Sequence, residues 1–156
     1  MHITIVAVGQ KLPAWAQTAV DDYLARFPRD FTVIVKEVKA EARTSGKPVA
    51  QVMAAEAERI ERAVPAGDIL VAMDEHGRDM TTVDFAKKIS GWKNEGCGVT
   101  FIIGGADGLD PALKAKSRMM LRLSSMTLPH AFARVLLTEQ IYRAWSILAN
   151  HPYHRV

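Results

Sequence analysis

Short apolar segments alternate with segments of helical periodicity along most of this 156-residue chain, and this alternation limits the fold more than any other feature. The apolar segments are rich in Val and Ile, as in strands that are covered on both faces. They lie at residues 3–8, 31–38, 69–73, 99–103 and, more briefly, 120–123. The alternation predicts an α/β fold with a mostly parallel sheet and helices on both faces.

Length and composition fit one globular domain spanning residues 1–156. A chain of this size buries roughly two-thirds of its unfolded surface, and 49% hydrophobic with 24% charged residues is ordinary for a globular protein. The single cysteine, Cys97, excludes an internal disulfide and an all-cysteine metal site. The N-terminus lacks the basic start of a signal peptide, and no apolar run approaches a membrane span. We therefore expect a cytoplasmic protein without membrane segments.

Three loops follow predicted strands at the edge of the sheet where ligands of parallel α/β proteins bind. The first is Met73-Asp74 after the third strand. The second is Gly104–Gly108, here called the glycine loop, after the fourth strand. The third is Leu123–His130, here called the LPH loop, after the fifth apolar run. We expect these three loops to lie together.

The glycine loop has the spacing G-G-x-x-G, which is neither the common phosphate-binding pattern nor the dinucleotide-binding pattern. Glycines after a strand allow a tight turn and a close approach of the backbone to a ligand. Asp107 places an acid where a phosphate would be repelled. Either the loop is only a strand-to-helix turn, or it binds a ligand with a neutral or positive portion.

The LPH loop is mostly apolar but also rich in hydroxyl groups, and Pro129 marks the entry to a helix over about 131–149. Apolar side chains can enclose a flat heterocycle while backbone groups read its edge. Alternatively, the loop is a buried connection whose hydroxyls cap the next helix. His130 is a candidate helix cap or general base, and its spacing favours the cap.

The long final helix has more apolar surface than one sheet face needs, so a partner subunit is expected. Glu139 and Arg143 are four residues apart and can pair on the helix surface. The residues after the helix, His151–Arg155, are here called the tail. They offer an acid/base pair, a stacking ring and a phosphate-binding guanidinium, or else they form an unstructured end. No nearby acid or cysteine completes a metal site with His151 and His154, so no metal is expected.

Charge is unevenly distributed along the sequence. From Lys114 onward the chain carries seven of its 20 Lys and Arg residues but only one of its 17 acids, Glu139. This asymmetry predicts a polyanion-binding surface near the C-terminus.

Several segments together resemble the RlmH family of bacterial 23S rRNA pseudouridine-N3 methyltransferases, which belongs to the SPOUT class. The resemblance extends over essentially the whole chain, and the tail with the LPH loop is its most specific part. The segments that carry it are 3–9, 102–109, 126–130, 139–144 and 152–155. Met73 stands where the family more often has leucine.

The resemblance implies a C-terminal trefoil knot that holds S-adenosylmethionine, and a homodimer. It implies a pseudouridine of 23S rRNA as the substrate, reached on the assembled ribosome, with the tail contributing to the substrate site. The implied cofactor contacts are Met73, Gly104, Leu123, Ser124, Ser125, Met126, Thr127 and Leu128.

The implied reaction is direct displacement, in which the pyrimidine N3 attacks the sulfonium methyl group. His154 is the candidate base that removes the N3 proton, and His130 is its rival. Tyr153 would orient or stack on the target base, and Arg143 and Arg155 would hold a phosphate or the developing imide anion. Two other classes remain open from the residues: a non-catalytic ribosome- or RNA-binding factor, and a Rossmann-like nucleotide enzyme acting on a small molecule.

Overall fold

A computed structural model describes residues 1–9 and 11–155 of the chain. Strands and helices alternate as the sequence predicts. In chain order they are β1 His2–Val8, α1 Ala14–Leu24, β2 Thr32–Val38, α2 Val49–Ala63, β3 Ile69–Arg78, α3 Thr82–Asn94, β4 Val99–Ile103, α4 Pro111–Lys116, β5 Met119–Leu121 and α5 His130–Leu148. A 3₁₀ turn at Pro152–His154 follows α5.

The five strands form one sheet in the order β2-β1-β4-β3-β5, and every neighbouring pair is parallel. The central strands are buried along almost their full length: all five residues of β4 and the last six of β1 are buried. Continuous burial explains why these segments are uniformly apolar instead of alternating in polarity. The predicted α/β fold with a parallel sheet is confirmed.

Helices cover both faces of the sheet. On one face α3 and α5 contribute Phe85, Ile89, Leu137 and Ile141 to the main core, and α1 packs against α5. On the other face α2 and α4 contribute residues such as Ile60 to a second core. None of the helices in 1–9 and 11–155 combines the length with the apolar character that crossing a bilayer requires.

Strand β3 is longer than its apolar pattern predicts, because polar residues continue it to Arg78 after a shift in register at Met73. Gly77 permits this continuation: a Cβ there would lie 2.7 Å from the backbone carbon of Leu121 in β5. The short helix α4 is likewise absent from the sequence prediction, although Asp110 caps it by accepting a hydrogen bond from the amide of Ala112 at 2.8 Å.

The chain between β5 and α5 passes over the carboxyl ends of the strands. Strand β5 lies at the edge beside β3, whereas α5 packs against both α1 and α3. The LPH loop therefore carries the chain back from the sheet edge across the carboxyl ends of the strands. This return positions the loop directly over the region where a ligand of a parallel sheet binds.

Candidate functional site

The carboxyl ends of three neighbouring strands are aligned. Met73 of β3 is in register with Ile103 of β4 and Leu121 of β5. The segments that follow these residues therefore leave the sheet at the same level, and they surround one cleft. The prediction that these three loops lie together is confirmed.

The cleft has two adjoining lobes, of about 500 Å³ and about 150 Å³, and both are lined by Met73, Ile103 and Leu128. The glycine loop and His130 line the larger lobe. The smaller lobe is lined by Leu123, Ser124, Met126 and Thr127. Ser125 is exposed and lines neither lobe. The larger volume lies in the range of sites that hold small molecules and cofactors.

The glycine loop is a tight turn that also forms a wall of the cleft. The amide of Gly108 donates to the carbonyl of Gly105 at 3.0 Å, and Gly108 has a φ of +85°. A Cβ on Gly104 would lie 2.5 Å from the carbonyl carbon of Gly108, so any side chain there would displace the loop. Asp107 is bound by Arg43 at 2.6 Å. A loop with this acid and this closed shape is not a phosphate cradle.

Asp74 places a carboxylate in both lobes, directly after Met73. One oxygen accepts from the ammonium of Lys114 at 2.9 Å, and the other accepts from the amide of His76 at 2.8 Å. Burial raises the pKa of Asp74, but these hydrogen bonds and the charge of Lys114 outweigh burial and lower it below its ordinary value. Asp74 is therefore ionised at neutral pH, and its charge is balanced by Lys114, which lines the larger lobe with it.

His130 begins α5 but does not cap it. The N-cap is Pro129, and no side chain caps this helix end, so the capping interpretations of His130 and of the loop hydroxyls are wrong. The hydroxyl of Ser124 instead accepts from the amide of Met126 at 2.9 Å within the loop. The ring of His130 bonds Arg134, one helical turn further on.

Arg134 is an almost fully buried cation, with 2% of its surface exposed. Its Nε donates to Nε2 of His130 at 2.9 Å, and its terminal nitrogens lie 3.3 Å from Glu37 at the end of β2. Burial first, and then the positive charge of Arg134, lower the pKa of His130, while Glu37 opposes them. Sequence reasoning missed this group, although a cation four residues after His130 on an apolar helix was a visible signal.

The tail is ordered against the opposite end of α5, so the interpretation as an unstructured end is wrong. The hydroxyl of Ser146 donates to the carbonyl of His151 at 2.9 Å. The same oxygen lies 3.1 Å from the amide of His154 and 2.8 Å from its Nδ1. Ser146 is completely buried, and it therefore fixes both the turn and the imidazole of His154.

Tyr153 is anchored in the same region. Its hydroxyl lies 3.0 Å from the hydroxyl of Tyr23 and 3.3 Å from Glu139. Burial, the hydrogen bond with Tyr23 and the charge of Glu139 raise the pKa of Tyr153, so the phenol is neutral throughout the physiological range. Arg143 donates to Glu139 at 2.7 Å, as the spacing predicts, and its guanidinium carbon lies 5.0 Å from the centre of the Tyr153 ring.

The tail and the cleft are far apart within one subunit. They lie at opposite ends of α5, whose 19 residues rise by 1.5 Å each and so span about 28 Å. Of the four candidate catalytic residues, only His130 lines the cleft. Arg143, Tyr153, His154 and also Arg155 belong to the distant end.

The basic residues that the sequence concentrates after residue 113 are mostly neutralised by carboxylates. Six of the seven have a nitrogen between 2.6 and 3.3 Å from a carboxylate oxygen, and five of the six partners precede Lys114 in the sequence. The pairs are Lys114–Asp74, Lys116–Glu61, Arg118–Glu95, Arg122–Asp79, Arg134–Glu37 and Arg143–Glu139. The charge asymmetry of the sequence is therefore largely internal pairing.

Cations without such partners lie elsewhere. Within residues 1–9 and 11–155, Arg78, Lys87 and Lys88 form no ion pair. They line a groove of about 690 Å³ beside α3, together with the acids Asp79, Asp84 and Glu95. Arg155 in the tail is likewise unpaired among the residues that the structure describes. In the same part of the chain, no group of three His, Cys, Asp or Glu side chains is arranged to hold a metal ion.

A parallel α/β sheet with a small-molecule cleft at the carboxyl ends of its central strands is the architecture of enzymes that bind a nucleotide-like ligand. The family described as "Predicted SPOUT methyltransferase" matches residues 1–154. The chain belongs to this family of SPOUT methyltransferases, and the family implies the C-terminal trefoil knot.

Similar proteins extend over the same length. The chain is 55% identical over 155 residues, 99% of both chains, to the ribosomal RNA large subunit methyltransferase H of Bordetella avium strain 197N. It is 53% identical over the full length of both chains to the protein of that name from Ralstonia pickettii strain 12J.

Two solved structures share the fold at 14% identity. A probable methylase family protein from Haemophilus influenzae Rd KW20 superimposes with a TM-score of 0.60, over 99% of this chain and 70% of the other. A putative methylase family protein from Neisseria gonorrhoeae has a TM-score of 0.54, over 96% of this chain and 93% of the other.

Proposed function

We propose that this protein transfers a methyl group from S-adenosylmethionine to N3 of a pseudouridine in 23S rRNA, on the assembled ribosome in the cytoplasm. The observation that carries the proposal is the convergence of Met73, the glycine loop and the LPH loop on one cleft. The chain in which these loops converge is 55% identical, over 99% of its length, to a protein named as a ribosomal RNA large subunit methyltransferase.

The size and the lining of the cleft fit this cofactor. The flat adenine suits the apolar walls that Met73, Ile103 and Leu128 provide, and the backbone around Gly104 approaches closely because no side chain intervenes. Asp74 and Lys114, which are paired with each other, add a carboxylate and an ammonium group to this lining. S-adenosylmethionine supplies an already activated methyl group, so the protein has to bind, orient and deprotonate the acceptor.

His154 is suited to act as the base through Nε2. Because a serine hydroxyl has one hydrogen and that of Ser146 is donated to the carbonyl of His151, the 2.8 Å contact with His154 needs the hydrogen of Nδ1. A neutral imidazole with its hydrogen on Nδ1 has an unshared electron pair on Nε2. That pair accepts the proton of the imide nitrogen, which is otherwise a poor nucleophile.

The other tail residues orient the substrate. A neutral phenol cannot remove a proton, so Tyr153 serves as a stacking or orienting ring, held by Tyr23 and Glu139. Arg143 is committed to Glu139 and orders the Tyr153 ring, which makes Arg155 the better candidate for a phosphate or the developing imide anion.

A homodimer resolves the separation of about 28 Å along α5 between the cleft and the tail. Exposed apolar residues mark the beginning of α1 and α5, where the rings of Trp15 and Phe132 lie 4.8 Å apart beside exposed Leu136. A two-fold contact that extends from this surface along the whole of α5, with the two helices antiparallel and the axis near the middle of the helix, places the tail of each subunit near the cleft of the other. Each active site then consists of one subunit's cleft and the other's tail.

RNA binding falls to the cations that lack carboxylate partners. Arg155 lies beside the proposed base. In the groove beside α3, Asp79 and Glu95 are paired with Arg122 and Arg118, so the three unpaired cations exceed the remaining acid and offer a second group of positive charges to the phosphate backbone. Ribosome affinity should therefore decrease as salt increases.

The test uses labelled S-adenosylmethionine and ribosomes that lack the modification. Transfer of label to 23S rRNA, mapped to N3 of a pseudouridine, is the expected result. Ribosome binding without transfer and without calorimetric binding of the cofactor would identify an RNA-binding factor instead. Cofactor binding without ribosome recognition would identify a small-molecule enzyme.

A further inference from the structure

We propose that His130 acts as a hydrogen-bond donor to an oxygen of a bound ligand, through Nδ1–H, and that Arg134 is the positioning residue that enforces this role. The proposed ligand contact rests on the proposed methyl-transfer function, whereas the state of the imidazole is a property of the free protein. The proposal removes His130 from consideration as the base.

The chemistry of the Arg134–His130 contact decides the position of the hydrogen. A guanidinium nitrogen can only donate, so Nε2 of His130, 2.9 Å from Nε of Arg134, must accept. A neutral imidazole whose Nε2 accepts has its single hydrogen on Nδ1. The electron pair that a base would need is therefore already engaged outside the cleft.

Arg134 is held so that this arrangement persists. It lies one helical turn after His130, it is 98% inaccessible, and Glu37 holds its terminal nitrogens from the neighbouring strand. A second hydrogen on His130 would have to replace the bond from Arg134 and would bring two cations into contact. Burial first, and then the charge of Arg134, lower the pKa of His130, which keeps the ring neutral at physiological pH.

Nδ1 is the free end of the ring. His130 lines the larger lobe, and no acceptor among the described residues bonds its Nδ1. A donor on a ring that lines a cofactor-sized lobe can bind an oxygen of the ligand. Two such oxygens fit the proposed reaction: a carboxylate oxygen of the cofactor, or a carbonyl oxygen next to the attacked N3 of the pyrimidine.

The two histidines then have complementary roles. Arg134 forces His130 to present a hydrogen to the cleft, whereas Ser146 forces His154 to present an electron pair. One ring can hold an oxygen of the ligand while the other, from the partner subunit, removes the proton.

Substitution of His130 distinguishes a donor from a base. His130→Asn retains an N–H close to the position of Nδ1 but cannot act as a base, and His130→Ala retains neither. We expect the alanine variant to lose about ten- to a hundredfold in either cofactor affinity or kcat, the usual effect of removing one oriented donor. The asparagine variant should recover most of this loss. His2→Asn is the matched control, because His2 lies at the start of β1, away from the carboxyl ends of the strands.

The parameter that changes identifies the acceptor. A weaker calorimetric affinity for S-adenosylmethionine, with unchanged kcat at saturation, assigns the donor to the cofactor carboxylate. A lower kcat with unchanged cofactor affinity assigns it to the pyrimidine carbonyl. The donor role is refuted if His130→Asn is as inactive as His130→Ala, or if His130→Ala has wild-type parameters.

Nitrogen NMR of the free protein tests the positioning role of Arg134 without any activity. The long-range ¹H–¹⁵N spectrum of the wild type should show Nδ1 of His130 protonated and Nε2 unprotonated. Arg134→Met should produce a mixture of tautomers, and Arg134→Lys, which keeps a donor, should restore the wild-type pattern. A wild-type spectrum with the hydrogen on Nε2 would overturn the proposal even if methyl transfer to rRNA is demonstrated.

Discussion

Two inactive variants should restore each other's activity if the tail of one subunit completes the cleft of the other. Gly104→Ala damages the cleft, because its Cβ would lie 2.5 Å from the carbonyl carbon of Gly108. His154→Ala removes the proposed base and leaves the cleft intact. A heterodimer of the two variants contains one site with an intact cleft and an intact tail, whereas each homodimer contains none.

The expected recovery follows from the geometry of α5. Its 19 residues separate the tail from the cleft of the same subunit by about 28 Å, several times the length of a histidine side chain. Ser146 also prevents the tail from folding back. A purified heterodimer should therefore show about half of wild-type activity, since one of the two equivalent sites of a symmetric dimer is intact.

Heterodimers can be isolated by coexpressing the two chains with different affinity tags and purifying on both tags. Activity is then measured with labelled S-adenosylmethionine and unmodified ribosomes. A second heterodimer, of the wild type and a chain with both substitutions, is the matched control. It should be inactive, because each of its sites contains one damaged part. Activity in this control heterodimer and none in the first would show that each tail serves its own subunit, which refutes the shared site.

Three further predictions concern the base, the cleft carboxylate and the basic groove. Ser146→Ala should lower kcat without changing cofactor affinity. It should also reduce the free energy of unfolding by about 1–3 kcal/mol, because the amide and Nδ1 of His154 lose their acceptor. An unchanged kcat would contradict the role given to His154. Folding lowers the pKa of Asp74, so its contribution to stability is present above the ordinary carboxyl pKa of about 4 and is lost as the pH falls through the lower folded value. The difference in free energy of unfolding between wild type and Asp74→Asn, measured in urea, should therefore become smaller below about pH 4. A difference that does not change with pH would show that the Asp74 carboxylate does not contribute to stability in this way. Replacing Lys87 and Lys88 together by Gln should reduce the slope of log affinity against log salt by about 1.4–1.8 in ribosome binding, whereas Lys93→Gln, on the same helix but outside the groove, should leave the slope unchanged; equal slopes would show that RNA does not contact the groove.

The sheet and the location of the cleft were predictable because they depend on local patterns. Continuous burial of β1 and β4 requires an uninterrupted apolar sequence, which is visible without the structure. The alignment of loops at one edge then follows from the parallel arrangement. The extension of β3 to Arg78 was not predictable, because it consists of polar residues. These residues join the sheet by pairing with the backbone of β5, about 40 residues later in the sequence.

The role of His130 was out of reach for the same reason. Helical spacing relates His130 to Arg134, but it does not say that the guanidinium is buried or that Glu37, 97 residues earlier, holds it. Without those two facts, His130 is equally compatible with a cap and with a base. The ordered tail is a similar case, since Ser146 is an unremarkable helical residue until His151 and His154 are placed around its hydroxyl.

The charge asymmetry of the sequence has a different meaning in three dimensions from the one its composition suggests. A cluster of cations in the sequence forms a basic surface only if the fold brings no acids beside it, and here five of the six acidic partners come from the preceding residues. Three of the six pairs have one nearly buried member: Asp74 with Lys114, Arg134 with Glu37, and Glu139 with Arg143. The side chains of Asp74, Arg134 and Glu139 are 11%, 2% and 12% exposed. These are also the pairs that adjoin the cleft, His130 and Tyr153. The remaining three are more exposed pairs, of a kind that contributes about 0–1 kcal/mol each. The inner pairs therefore fix side chains beside the cleft and the tail, and we expect RNA to contact the cations that the fold leaves unpaired.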